Sequence, residues 1–356
     1  MEPSRKFSDA GGMSRREFGH RTGLSFLGLL SREHGRGSQE KARVPVALCT
    51  LREPGQAVER ALDLLGKPGV AGRHVYLKAS YNSADPFPAS THPSTLRAVA
   101  RVLRDLGCLR ISLVERSGMG TAGEIWQELR MDDALKGLDV RLVSLDDLAP
   151  GEWKHRDLPE SDWKHGVRSP AFLTGDACVV QLCNLKTHRF GGTFSASLKN
   201  SLGLIAKRGI VEDRPYNYME EMHASPSQRR MIADVNRIYQ PALVIMDAGQ
   251  IFVDGGPEHG QVARPDLLLA SRDRVAIDAA GVALLRIHGA GPALTRGSVF
   301  EQEQIQRAVE LKLGVQSPEE MLCLAADRDC HRTVAQIQAT LIESPGEEDK
   351  REGKKP

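Results

Sequence analysis

Runs of aliphatic and β-branched residues alternate along the chain with stretches whose apolar positions recur at helical spacing. A continuous apolar run suits a strand buried on both faces, and a spaced pattern lays one apolar stripe along a helix. Strands are expected at Val44–Thr50, His74–Lys78, Arg110–Glu115, Val140–Ser144, 177–183, 242–247 and Leu267–Ser271. The clearest helices are 93–106, where Leu96, Val99, Ala100, Leu103 and Leu106 share a face, and Arg274–Ile287, which carries Val275, Ala279, Val282 and Ala283. Further helices at 301–313, 318–326 and 333–341 would give a helical C-terminal end. This rhythm predicts an α/β fold, a mostly parallel sheet with flanking helices. Its expected organisation is two lobes around a cleft, 43–150 and 170–290, joined by a Trp- and charge-rich connector at 151–169 and followed by helices over 291–343.

Composition narrows the function classes. A hydrophobic share of 40% lets a chain of 356 residues bury a sizeable core. Lysine and arginine (48) nearly balance aspartate and glutamate (46), and aromatics are only 5%, so neither a polyanion patch nor a stacking platform for nucleic acid is expected. No run approaches the roughly 20 apolar residues of a membrane-spanning helix. The six cysteines include no CxxC pair, which removes the ligand spacing of a ferredoxin-type cluster; no iron–sulfur cluster is expected.

At the front, Ser14-Arg15-Arg16-Glu17-Phe18 precedes the apolar run Leu24 to Leu30, the order of a twin-arginine export signal. The run is short and charged residues follow it, so an extracytoplasmic and a cytoplasmic location both fit. Residues 1–42, and the charged tail 344–356, are expected outside the fold.

Polar chemistry should gather where strands end, because ligands of open α/β sheets bind beyond the carboxyl ends of their strands. After the expected strand 177–183 come Lys186 and His188, which share a face if the chain stays extended. Next follows a helix bearing Lys199 and Asn200 among small and apolar residues. Two lysines and a histidine suit a carboxylate or phosphate. The strand 242–247 ends in Asp247, and the loop beyond it carries Asp254, Gly255, Gly256, Glu258 and His259. Asp254, Glu258 and His259 offer oxygen and nitrogen ligands for a divalent cation, though such residues also build ordinary turns. Asp273 is expected to cap the helix that holds Asp278. Lys78 and Asn82 follow one early strand, Glu115 and Ser117 another, and His92 precedes Pro93 at a helix start.

Leu185-Lys186-Thr187-His188, Leu198-Lys199-Asn200, Asp247 with Gly255-Gly256-Pro257, and Ser271-Arg272-Asp273 with Asp278 together resemble the bacterial family termed domain of unknown function 362. The resemblance runs back through Thr91-His92-Pro93 and Glu115-Arg116-Ser117-Gly118, over about residues 74 to 290. It implies an α/β fold with polar positions at strand ends, but no characterised catalytic residue. Twin-arginine leaders and an added ferredoxin-like cluster domain occur in the family, and this chain has no cysteines for the latter. A Lys-Pro-Asn element common in the first lobe is replaced here by Lys78-Ala79-Ser80.

Three functions remain open on the sequence. The first is an enzyme or cofactor-dependent protein acting on a small anion: Lys186 and Lys199 bind it, His188 serves as acid–base group or metal ligand, and Asp247 and Asp278 orient the lysines. Lys78, Asn82, Glu115, Ser117, Asn200, Gly255 and Gly256 would then contact a bound cofactor or substrate, with cofactor identity open and a divalent metal compatible. The second is a non-catalytic anion- or metal-binding protein. The third makes the lysines and aspartates a buried ion-pair network with no ligand.

Overall fold

Alternate residues of the first strand, β1 (Val44–Thr50), face two different cores: Val46 and Leu48 one, Ala47 and Cys49 the other. A strand with apolar side chains on both faces needs cover on both, and helices supply it. The computed structural model describes residues 42–191 and 193–343; the leader, apart from Ala42, and the charged tail lie outside the described residues.

The remaining strands of the main sheet are β2 (His74–Lys78), β3 (Arg110–Glu115), β4 (Val140–Ser144), β5 (Cys178–His188), β6 (Thr193–Ser195), β7 (Pro241–Gly255), β8 (Gly260–Ala263), β9 (Leu267–Ser271) and β10 (Met321–Ala325). Their order is β10-β1-β9-β7-β5-β2-β3-β4, with β6 paired to β5 and β8 to β7. Along that path β9 alone runs against its neighbours; the β1/β10, β7/β5, β5/β2, β2/β3 and β3/β4 pairs are parallel. The expected mostly parallel α/β architecture is therefore present.

One face is covered by α1 (Pro54–Leu65) and α2 (Pro93–Asp105), whose Val58, Leu62, Leu96, Val99 and Leu103 join the core lined by Val75, Leu77 and Val180. Pro93 and the His92 side chain, which accepts the Ser94 N–H, start α2. The other face is covered by α4 (Arg274–Ile287) and α5 (His331–Ile342). The helix α4 is buried from Arg274 through Leu285, and Gly281 lets it close on the sheet: a Cβ there would stand 2.9 Å from Leu185 Cδ1 and 3.1 Å from Met246 Sδ. Asp273 caps α4 as expected, accepting the Val275 and Ala276 N–H groups at 2.8 and 2.9 Å. Among the described residues no helix is long and apolar enough to cross a membrane.

Two expectations need correction. The segment 318–326 is not a helix: a single 3-10 turn at Pro318–Glu320 leads into β10, which adds to β1 with Val46 opposite Cys323. A five-residue apolar run fits either period, and here the free edge of β1 decided it. The strands expected to end at residues 183 and 247 run on to His188 and Gly255. Polar residues extend them because cross-strand partners are available: Lys186 lies opposite both Phe252 and Ser195, after a register shift in β7 between Asp247 and Phe252.

Candidate functional site

The carboxyl ends of β2, β3 and β5 lie side by side, and a cavity of about 470 Å³ opens over them. The extension of β5 places Lys186 and His188 on its wall, and the short helix α3 (Ser197–Asn200) adds Lys199 and Asn200.

Its floor is an ion pair. Lys78 Nζ lies 2.8 Å from Glu115 Oε2, and both side chains are almost fully enclosed. The same Glu115 oxygen accepts the Tyr81 N–H at 2.9 Å, the other accepts the Arg116 N–H at 3.1 Å, and Lys78 also donates to Asn200 Oδ1 at 3.0 Å. Burial pushes the lysine's proton affinity down and the glutamate's up, and each charge opposes the shift of its partner. Gly203 covers the pair so closely that any Cβ would collide with Glu115 and Lys78. A larger residue would have to displace two side-chain ends that are pinned by hydrogen bonds.

The wall differs from the floor. Lys186, 5% exposed, donates to the carbonyls of Pro88 and Ala89 and so holds the 80–92 loop against the sheet, helped by Asn184 Nδ2, which reaches the Pro88 and Ser90 carbonyls at 2.9 and 2.8 Å. Burial lowers the Lys186 pKa to about 8, against the opposing pull of Asp85. His188 is driven to about 2 by burial, with Lys199 and Lys186 adding to the effect, so the ring is neutral. Its Nδ1 is buried without a hydrogen-bond partner among the described residues. Lys199 is half-buried, and its Nζ has no hydrogen-bond or ion-pair partner among the described residues. Burial and the neighbouring Lys186 push its pKa well below the ordinary lysine value.

The family described as domain of unknown function (DUF362) matches residues 75–283, more than half of the sequence. The chain belongs to the DUF362 family. Its matched span contains every charged group just described on the floor and wall. No curated protein matches the chain. Among solved structures, the lactate racemase apoprotein from Thermoanaerobacterium thermosaccharolyticum is similar over 71% of this chain, with 13% identity and a TM-score of 0.41; the chain spans 58% of that protein.

Of the residues singled out in the sequence of this DUF362 member, Lys78, Asn82, Glu115, Lys186, His188, Lys199, Asn200 and Glu258 line the cavity. Asp247 and Asp278 do not. Asp247 is fully buried, accepting from Thr95 Oγ1 at 2.6 Å and the Gly249 N–H at 2.9 Å, and ties β7 to α2. Asp278 accepts the Ser197 and Leu198 N–H groups, so it caps α3 and reaches Lys199 only through the helix backbone. Ser117 also lies off the wall and donates to the Asn82 carbonyl at 2.7 Å. Gly255 and Gly256 shape the loop: with φ of 66°, Gly256 packs on the Thr187 carbonyl, where a Cβ would clash.

The suggested cation ligands do not converge. Among the described residues no group of three His, Cys, Asp or Glu side chains is placed to hold a metal. Glu258 pairs with Arg189, His259 is exposed, and Asp254 points to solvent. Sequence reasoning missed the apolar part of the wall, Tyr81, Met119, Phe190, Leu202, Met219 and Met222, together with the rim residue His223. Met219 and Met222 sit at helical spacing within Tyr218–Ala224, a pattern that reads equally as core, and Met222 does join one. The six cysteines are unpaired, and all but Cys108 are buried.

Proposed function

We propose that the cavity binds a small anion, a carboxylate or phosphate, between Lys186 and Lys199 and sets the imidazole of His188 against it as an acid–base group. Lys199 carries this reading: its amino group stands on a cavity wall with no partner among the described residues and with a second lysine as its neighbour. An unpaired polar group and two adjacent like charges each cost free energy, and an anion between them would relieve both. The apolar walls strengthen such an attraction by lowering the local dielectric. An anion would also lift the proton affinity of His188 from its low value toward the range in which an imidazole works as a base.

For Lys78 and Glu115 a structural role is favoured. Their charges satisfy each other, and their remaining hydrogen-bonding capacity goes to Asn200 and to the Ala79, Tyr81 and Arg116 backbone. They form the floor on which the ligand rests.

Thermal-shift titration with inorganic phosphate, acetate and hydrocinnamate tests the reading. Saturable stabilisation by at least one of these, lost in Lys186→Met and Lys199→Met proteins that keep their far-ultraviolet circular dichroism, supports it. No stabilisation by any of them, or equal stabilisation of the variants, refutes it.

A further inference from the structure

Lys186 and Lys199 share one cavity, yet their surroundings divide them. The Lys186 amino group is held by the Pro88 and Ala89 carbonyls and feels the acidic Asp85 and Glu258. These partners favour its charged form. Lys199 has no such partner among the described residues, and the charge acting on it is that of Lys186. An amine beside a cation in an apolar site sheds its proton first and keeps a free lone pair, the condition for a nucleophilic lysine. The cavity offers about 470 Å³, and its walls are largely apolar, with Phe190 and Met119 exposed at its edge. A bare inorganic ion would leave most of that space unfilled; a ligand with an apolar body fits it.

We propose that Lys199 forms an imine with the carbonyl carbon of an α-keto acid whose carboxylate lies against Lys186 and whose apolar side chain fills the remaining cavity. This inference rests on the anion-binding reading above and assigns the anion a chemical class. In the step, the Lys199 nitrogen lone pair forms a C–N bond as the carbonyl π bond breaks and its oxygen takes a proton. The neutral His188 ring relays both protons released by nitrogen to that oxygen in turn, the first making it a hydroxyl and the second making it water, which leaves as the C–O bond breaks and the nitrogen lone pair completes the C=N bond. The products are one imine and one water, with no change of oxidation state. A protonated imine next to the carboxylate is an electron sink, so bonds at the carbon on either side of it become easier to break.

Incubation of the full chain with phenylpyruvate and sodium cyanoborohydride tests the proposal, read by intact mass and peptide mapping, with hydrocinnamate as the matching carboxylate that lacks the carbonyl. One reduced adduct on the peptide containing Lys199, absent in Lys199→Met and suppressed by excess hydrocinnamate, is the expected result. Lys186→Met should lower labelling at limiting phenylpyruvate by roughly ten-fold or more, the loss of a charge-assisted contact. Labelling scattered over surface lysines and unchanged in Lys199→Met overturns the proposal. Hydrocinnamate stabilising the protein while phenylpyruvate leaves no adduct on Lys199 overturns the imine step alone and leaves anion binding standing; neither compound binding or labelling removes both.

Discussion

Asp278 Oδ1 accepts the backbone N–H of Ser197 at 2.7 Å, across a separation of 81 residues in the chain. A carboxylate on the buried helix α4 thereby fixes the first turn of α3, and with it the position of Lys199. Its second oxygen takes the Leu198 N–H at 3.0 Å, so both oxygens are used by two adjacent backbone donors.

Asp278→Asn turns one of these acceptors into a donor facing another donor, and should cost about 1–3 kcal/mol of stability. Burial raises the Asp278 pKa from 3.8 to about 7 in the folded chain. The folded state therefore holds a proton that the unfolded state has lost across that interval, and stability declines as pH rises through it. The gap between the native protein and the variant, measured by urea denaturation, should be widest at the acidic end, narrow between about pH 3.8 and about 7, and stay level above. A gap that widens over the same range contradicts this.

The Lys78–Glu115 pair is enclosed enough that breaking it leaves an uncompensated charge. Glu115→Gln or Lys78→Met alone should cost about 3–5 kcal/mol, whereas the double replacement should cost clearly less than the sum. Denaturant titration of the four proteins of the cycle measures the coupling.

Gly203→Ala probes the same floor from above. The new methyl group would collide with Glu115 and the end of Lys78, and both are pinned by hydrogen bonds. Overpacking of this kind should destabilise by about 1–3 kcal/mol.

The pH dependence of anion affinity follows from the lysines. Lys186 is lowered to about 8 in the empty cavity, and a bound anion would raise it again. Affinity for hydrocinnamate should therefore decline as pH rises through about 8, by no more than about ten-fold per pH unit for each proton taken up. Burial and the neighbouring Lys186 lower Lys199 as well, so proton uptake there on binding would steepen the decline. Affinity that rises with pH would count against a lysine-held anion.

Much of the frame was legible in the sequence. Apolar runs such as Val44–Thr50 and Leu267–Ser271 have the length and punctuation of buried strands, and Asp273 sits where a helix needs a cap. Lys186 and His188 were placed on one face by the period of an extended chain alone. The partners of Asp247 and Asp278 were not legible, because Thr95 and Ser197 reach them from helices far away in sequence, and a buried carboxylate satisfied by backbone donors has the same sequence signature as one paired with a lysine. The β10 strand escaped for a related reason: a short apolar run takes its period from the neighbour it meets, here the open edge of β1.

Isothermal titration calorimetry of hydrocinnamate against the native chain and the Lys186→Met/Lys199→Met double variant tests the central claim most directly. One saturable site on the native chain, absent from the folded variant, is the result expected from an anion held between the two lysines. No saturable heat on the native chain, or the same isotherm on both proteins, would contradict it.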